Sequence, residues 1–208
     1  MNIIFLGPQA CGKGTQAIML VEKLKIPHIS TGDIFRKSVK EKDEIGKMLK
    51  KHLDSGGLVP DELTNKIVEN RLKQADAKKG FILDGYPRTI AQAKFLDKIS
   101  KINKVVEIKI SDSEAINRIV GRRSCACGQT YHLIHKLSKK DGICDLCGKK
   151  LFQREDDKPD VVKKRLKLYH KKIKPLLDYY KGKKILIVVN GERSIQEIHS
   201  DIAKIFSI

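Results

Sequence analysis

The 208-residue sequence has no tryptophan, and aromatic residues make up only 5% of it. A protein that grips single-stranded nucleic acid by stacking has few platforms here. Long apolar runs are missing as well. The longest, Ile3–Leu6 and Ile185–Val189, fall far short of the roughly 20 residues that a membrane-spanning helix requires. Only Met1-Asn2 precedes the first run, with no basic segment, so no secretory signal is expected. There is no internal repeat and no low-complexity linker. Wholesale disorder is also excluded, because 40% of the residues are apolar and 33% charged, a mixture able to bury a core. A soluble chain of this length fits one large domain, or a core domain with insertions.

Arginine is scarce too. Of the 43 basic residues, 34 are lysine and nine are arginine. The net charge of +18 points to polyanionic partners: nucleotides, nucleic acid or an anionic surface. Lysines are spread along nearly every polar face, as on a solvated surface. Each arginine therefore stands out, because a guanidinium grips phosphate as a rigid fork and an ammonium does not. Four of the five cysteines, Cys125, Cys127, Cys144 and Cys147, fall within 23 residues. Without a secretory signal that cluster reads as metal ligands rather than disulfides.

Apolar patterning alternates strands with helices. Strands are expected at residues 2–6, 28–30, 81–84, 105–110 and 185–189. Helices are expected at about 14–24, 33–40, 43–54 (closed by Gly56-Gly57), 60–78, 89–99, 160–180 and 194–206, with one more capped by Ser111-Asp112 and ending at Gly121. Residues 123–153 break this rhythm and read as an insertion. The class is α/β, with a parallel sheet flanked by helices.

The first strand runs into Gly7-Pro8-Gln9-Ala10-Cys11-Gly12-Lys13-Gly14-Thr15, a glycine, four residues, then Gly-Lys, opening a helix. Backbone N–H groups in such a loop converge on phosphate, with Lys13 reaching terminal phosphates and the Thr15 hydroxyl near Mg²⁺. The inserted Gly14 before Thr15 departs from the generic phosphate loop, and this variant resembles the adenylate kinases among the nucleoside monophosphate kinases. The resemblance continues through Ser30-Thr31-Gly32-Asp33 with Arg36, through Gly57-Leu58-Val59-Pro60-Asp61-Glu62, and through Asp84-Gly85-Tyr86-Pro87-Arg88-Thr89 with Gln92. It then takes in Arg118, Gly121 and Arg122, followed by Arg154, Asp156, Asp157 and Arg165. One departure is Ala10, where that family usually has glycine. A Cβ there is expected to crowd a backbone that approaches phosphate. Cys11 reads as a small space-filling side chain rather than a reactive thiol.

The resemblance implies a P-loop core at 1–29, 60–121 and 159–208, a helical AMP-binding insertion at 30–59 and a zinc-binding lid at 122–158. It implies Mg-dependent interconversion of ATP and AMP with two ADP. Lys13, Arg88, Arg122, Arg154 and Arg165 would be catalytic. ATP would meet Ala10, Cys11, Gly12, Lys13, Gly14 and Thr15, then Arg118, Arg122, Thr130, Tyr131 and Arg193. AMP would meet Thr31, Arg36, Gly57, Leu58 and Val59, then Gly85, Tyr86, Pro87, Arg88 and Gln92, with Arg154 and Arg165. Asp84, assisted by Asp33, would hold Mg²⁺ through water. No general base is needed, since the acceptor is already a phosphate oxyanion, so no histidine is assigned a catalytic role. Arg71 and Arg123 read as surface or structural. By the same resemblance the chain is a cytoplasmic monomer with no dedicated nucleic-acid or membrane partner.

In the lid, Cys125-Ala126-Cys127 and Cys144-Asp145-Leu146-Cys147 suit structural Zn²⁺, with iron the alternative. The first pair has one intervening residue where the family has two, leaving His132 or His135 as replacement ligands. Hinges are expected near Gly121 and at 156–159. A competing reading from another class is a zinc-ribbon nucleic-acid-binding protein, motivated by the charge and the cysteines.

Overall fold

The computed structural model describes residues 1–41, 44–55 and 57–208. Its centre is a parallel sheet ordered β2-β3-β1-β4-β7, from β1 (Asn2–Leu6), β2 (His28–Ser30), β3 (Phe81–Asp84), β4 (Lys104–Lys109) and β7 (Leu186–Asn190). Successive side chains on a strand point to opposite faces, and both faces are covered. Ile3 and Phe5 of β1 pack with Ile82 and Ile108 on one side. Ile4 and Leu6 pack with Leu83 and Val105 on the other. The first face is covered by α1 (Lys13–Leu24), α6 (Asp112–Val120) and α8 (Ile195–Ile205), the second by α4 (Asp61–Leu72) and α5 (Ile90–Ile99). The long α7 (Pro159–Gly182) contributes Val162 and Leu166 to the first cluster and Leu176 and Tyr180 to the second.

Two segments leave this frame. Between β2 and α4, α2 (Thr31–Glu41) and α3 (Glu44–Asp54) share a small core of Phe35, Leu49 and Val59, which also touches Leu63 and Ile67 of α4. Between α6 and α7, β5 (Arg122–Ser124) and β6 (Thr130–His132) form an antiparallel pair, with Ser124 bridging to Phe152. No helix among the described residues is long and apolar enough to cross a membrane.

The expected elements are present within a residue or two, with one correction. The helix expected at 60–78 ends at Leu72, and Ala75–Lys79 forms a separate tight turn. Arg71 folds back on Asp76 with two parallel bonds of 2.8 and 2.6 Å, a contact that closes the chain after the helix and that apolar periodicity does not register. It also gives Arg71 a structural place. The helix start expected at Asp43 and the closing Gly56 lie outside the described residues. Ser111, Thr89 and Ser194 cap their helices with side-chain oxygens, Ser194 in a full capping box.

The sheet's register brings Leu6, Ser30 and Asp84 to one edge: Phe5 lies beside Asp84, and Ser30 beside Asp84 on its other side. Ligands of open α/β sheets bind beyond these carboxyl ends. Leu83 is fully buried between the helices and the sheet, so Leu83→Ala is expected to cost about 2–5 kcal/mol. Met48→Ala, at a side chain 54% exposed, is expected to stay within about 0.5 kcal/mol; urea unfolding monitored by circular dichroism measures both.

Candidate active site: a guanidinium-lined cleft beyond the sheet

Beyond the strand ends lies a cleft of about 840 Å³, bordered by the Gly7–Thr15 loop, α2, the 84–88 segment, β6 and α7. The loop's shape is forced. A Cβ on Gly7 (φ 143°) would lie 2.5 Å from the Ile108 carbonyl oxygen and 2.6 Å from Cys11 Sγ. The loop curls around its own cation: Lys13 Nζ donates to the carbonyls of Gly7 at 2.9 Å and Pro8 at 2.7 Å. Cys11 is fully buried in the core, and burial pushes its thiol pKa up against the pull of Lys13. Its side chain packs, as the sequence reading had it. Ala10 adopts φ 58° and is half-buried against the same core. A left-handed conformation costs a residue bearing a Cβ roughly 1–2 kcal/mol.

Asp84, at the end of β3, faces the start of α1, where a Cβ on Gly14 would lie 3.6 Å from its Oδ2. Burial alone would raise the Asp84 pKa. The His28 contact at 3.4 Å and the charges of Lys13 and Arg88 outweigh that and hold it below the usual carboxylate range. Asp33 is tied to Arg36 at 2.5 Å.

The 85–92 segment is held from α4. Thr89 Oγ1 donates to Asp61 Oδ2 at 2.7 Å, and Gln92 Nε2 donates to Asp61 Oδ1 at 2.7 Å. The Arg88 N–H donates to Gln92 Oε1 at 2.7 Å, while the Tyr86 hydroxyl donates to Asn65 Oδ1 at 2.7 Å. Gly85 (φ 80°) leaves no room for a side chain, since a Cβ would meet Thr31 Oγ1 at 2.9 Å. Gly57, Leu58, Val59 and Gln92 line a smaller hollow beside Arg88.

Seven arginines border the main cleft: Arg193 and a set of six, Arg36, Arg88, Arg118, Arg122, Arg154 and Arg165. Four of these six have carboxylate partners, Arg36 with Asp33, Arg118 with Glu114, Arg122 with Asp157 and Arg165 with Asp156. Among the described residues, the Arg88 side chain has only the Gly85 carbonyl, at 2.7 Å from Nε, and that of Arg154 only the Ser124 hydroxyl, also at 2.7 Å. Both are lowered to about 10, first by burial and then by neighbouring guanidinium groups: Arg165 acts on Arg88, and Arg36 and Arg122 act on Arg154. Arg193, at the margin, turns its side chain to Asp201. Arg123 donates to the carbonyls of Val120 at 3.1 Å and Arg122 at 2.8 Å, a structural place like that of Arg71.

The four lid cysteines converge. Their sulfurs all lie within 4.8 Å of one another, with Cys125···Cys147 at 3.4 Å and Cys127···Cys144 at 3.6 Å. A tetrahedron of thiolates at a Zn–S distance of about 2.3 Å needs sulfurs about 3.8 Å apart, so the donor set fits. The single residue between Cys125 and Cys127 lets both reach, and no histidine is needed. His132 instead accepts the N–H groups of Ile134 and His135 at 3.0 and 3.1 Å and packs on Gly121, where a Cβ would lie 2.4 Å from its Nε2. The Tyr131 hydroxyl, 3.5 Å from the Cys144 sulfur, is the main cause lowering that thiol to about 6, against burial. Thr130 and Tyr131 both border the cleft.

The adenylate kinase family model matches residues 5–185. Three relatives named adenylate kinase match over nearly their whole length. The Caldicellulosiruptor bescii protein is 48% identical over 214 residues, covering 100% of both chains. The Caldanaerobacter subterraneus subsp. tengcongensis protein is 50% identical over 210 residues, 98% of this chain and 95% of the relative. The Staphylococcus epidermidis protein is 49% identical over 211 residues, 99% and 98%. The chain belongs to the adenylate kinase family. An adenylate kinase transfers a phosphoryl group between ATP and AMP to give two ADP, with Mg²⁺ accompanying the ATP. The match along the core displaces the nucleic-acid-binding alternative.

Sequence reasoning did not foresee the contacts that four residues make in the site. His28 supports Asp84. Asp61 holds the 89–92 segment, although an acid in a first helical turn reads as a complement to the helix dipole. Asp156 and Asp157 matched the family pattern, but only the fold shows that they neutralise Arg165 and Arg122. Two predictions follow from the loop and from Asp84. Ala10→Gly relieves the left-handed strain and should raise the melting temperature by about 2–4 °C, read by calorimetry. Because the folded Asp84 pKa is lowered, its ionisation stabilises the fold above the unfolded value of about 3.9, and this stabilisation is lost as pH falls through the folded value. His28→Ala removes a lowering contact, so carboxyl NMR should find Asp84 titrating at higher pH.

Proposed function

We propose that this cleft carries out the transfer with the residues that converge on it, the observation supporting this being seven arginines bordering the cleft that holds the phosphate loop. Lys13 and the N–H groups of Ala10 to Thr15 hold the ATP phosphates, with Arg118 and Arg122 closing on them. Thr130, Tyr131 and the backbone near Arg193 flank the ATP base and ribose. Arg36 and Arg88 grip the AMP phosphate, while Thr31, Gly57 to Val59, Gly85 to Pro87 and Gln92 surround its base and sugar. Arg154 and Arg165 face the phosphoryl group in flight. The acceptor is a phosphate oxyanion and needs no base, so positioning and charge neutralisation supply the catalysis. Asp84, with Asp33 assisting, would hold Mg²⁺ through water, and the ion would supply positive charge to the ATP phosphates. Arg88 and Arg154, which have no carboxylate of their own, receive the incoming anions.

The moving parts are the segment at 30–59 and the lid at 122–158, carried on a core of 1–29, 60–121 and 159–208. Closing the lid excludes water from ATP and brings Arg122, Arg154 and Arg165 together. Among the described residues the lid has a core of Cys125, Tyr131, Cys144 and partly buried Leu151, so Cys125, Cys127, Cys144 and Cys147 would hold a structural Zn²⁺ in place of apolar packing. The working unit is a cytoplasmic monomer.

The test is ADP alone with Mg²⁺, its products separated by chromatography. ATP and AMP should appear in equal amounts, and Lys13→Ala or Arg88→Ala should cut turnover by roughly 10²–10³ or more in protein that keeps its fold by circular dichroism. Absence of both products from folded, metal-replete protein rejects the proposal. Elemental analysis should find one zinc per chain. Stripping it with a thiol reagent and chelator should raise the KM for ATP before that for AMP, and an iron signal in place of zinc would overturn the metal assignment.

A further inference from the structure

We propose that Asp61 is a positioning residue which fixes the polarity of the Gln92 amide, and that this makes the acceptor site prefer bases with an amino edge over bases with a keto edge. The inference rests on the reading of Gln92 as the AMP-base contact. A glutamine amide is ambiguous by itself: its two ends have nearly the same shape, and a half-turn exchanges donor for acceptor. Here the ambiguity is removed by two neighbours of opposite character. The Asp61 carboxylate only accepts and takes a Gln92 Nε2 hydrogen at 2.7 Å. The Arg88 backbone N–H only donates and is taken by Gln92 Oε1 at 2.7 Å. Turning the amide over would set donor against donor and acceptor against acceptor at once.

The support is itself anchored. The other Asp61 oxygen is occupied by Thr89 Oγ1 at 2.7 Å, and that same hydroxyl oxygen accepts the Gln92 N–H at 3.1 Å. One turn along α4, Asn65 holds the Tyr86 hydroxyl, which also donates to the Gln92 carbonyl at 3.2 Å. The Gln92 side chain is buried beside the small hollow next to Arg88. What remains for a ligand is one hydrogen on Nε2 and one lone pair on Oε1, in fixed order. Adenine offers an acceptor at N1 beside a donor at its 6-amino group, which suits that order. A 6-keto purine offers the reverse, and a buried polar group left facing its own kind is costly.

Inosine monophosphate is the probe, because it differs from AMP only along that edge. The measured quantity is the ratio of its competitive inhibition constant to the KM for AMP, in the wild type and in Asp61→Asn, Asp61→Ala and Gln92→Ala. Asp61→Asn removes the carboxylate half of the polarity constraint, leaving only the Arg88 N–H to select it, and still lets residue 61 hydrogen-bond to Thr89 and Gln92, so it is the variant expected to fold. Its ratio should fall by about fivefold or more, while kcat with AMP falls by less than about threefold. Asp61→Ala should lower the ratio as well, and Asp61→Asn combined with Gln92→Ala should fall no further than Gln92→Ala alone.

A merely structural role for Asp61 would weaken both nucleotides alike and leave the ratio in place. If Gln92→Ala lowers the ratio and Asp61→Asn leaves it within about twofold of wild type, the inference is overturned while the Gln92 reading stands. If Gln92→Ala itself leaves the ratio unchanged, the Gln92 reading fails and the inference fails with it. Nitrogen-edited NMR of the wild type adds a readout that needs no variant beyond the one used for assignment. The Gln92 side-chain amide should show two well-separated, slowly exchanging protons, and an averaged, rapidly exchanging pair would overturn the proposal.

Discussion

Gathering guanidinium groups in one partly buried cleft constrains the rest of this structure. Seven arginines border one cleft, and a buried charge is costly unless something answers it. The fold answers five of them with carboxylates, two of which, Asp156 and Asp157, come from the short segment leading into α7. Arg88 and Arg154 are given only neutral oxygen partners, and these are the two guanidinium groups whose pKa falls to about 10. The charge left over is therefore localised. On the proposed assignment of these two residues, bound phosphate would bring the missing negative charge and offset both their burial and their crowding by neighbouring guanidinium groups.

The sheet makes that concentration of charge possible. Its five strands are parallel, so their carboxyl ends share one edge, and the loops leaving β1, β2 and β3 converge there. Glycine marks the tight places: at Gly7 and Gly85 a side chain would collide with a backbone carbonyl or a threonine hydroxyl. Where no glycine is used, at Ala10, the chain adopts the left-handed conformation and accepts the strain.

Much of this was legible beforehand, for identifiable reasons. The phosphate loop is readable because its chemistry needs glycine and lysine at fixed spacing between a strand and a helix. The arginines are readable because lysine serves nearly every other cationic role in the chain. The four clustered cysteines suggested metal ligands, but not whether a one-residue gap would let Cys125 and Cys127 both reach, since that depends on how β5 and β6 pair. The end of α4 was misplaced because the Arg71–Asp76 contact leaves no periodic trace. Asp61 was hidden for a different reason. Its partners Thr89 and Gln92 lie 28 and 31 residues away, and an acid opening a helix already has a sufficient local explanation.

The long helix α7 has a consequence for how the molecule melts. Its first half packs into the hydrophobic cluster on one face of the sheet and its second half into the cluster on the other. Arg165, between Val162 and Leu166, holds Asp156 at the cleft. Neither half-core can come apart without tearing this common member from the other, so the two should be lost together in a single cooperative transition. Free energy gained by a nucleotide at the cleft is then shared by the whole core, and saturation with substrate would protect distant strands as strongly as it protects the loops it touches.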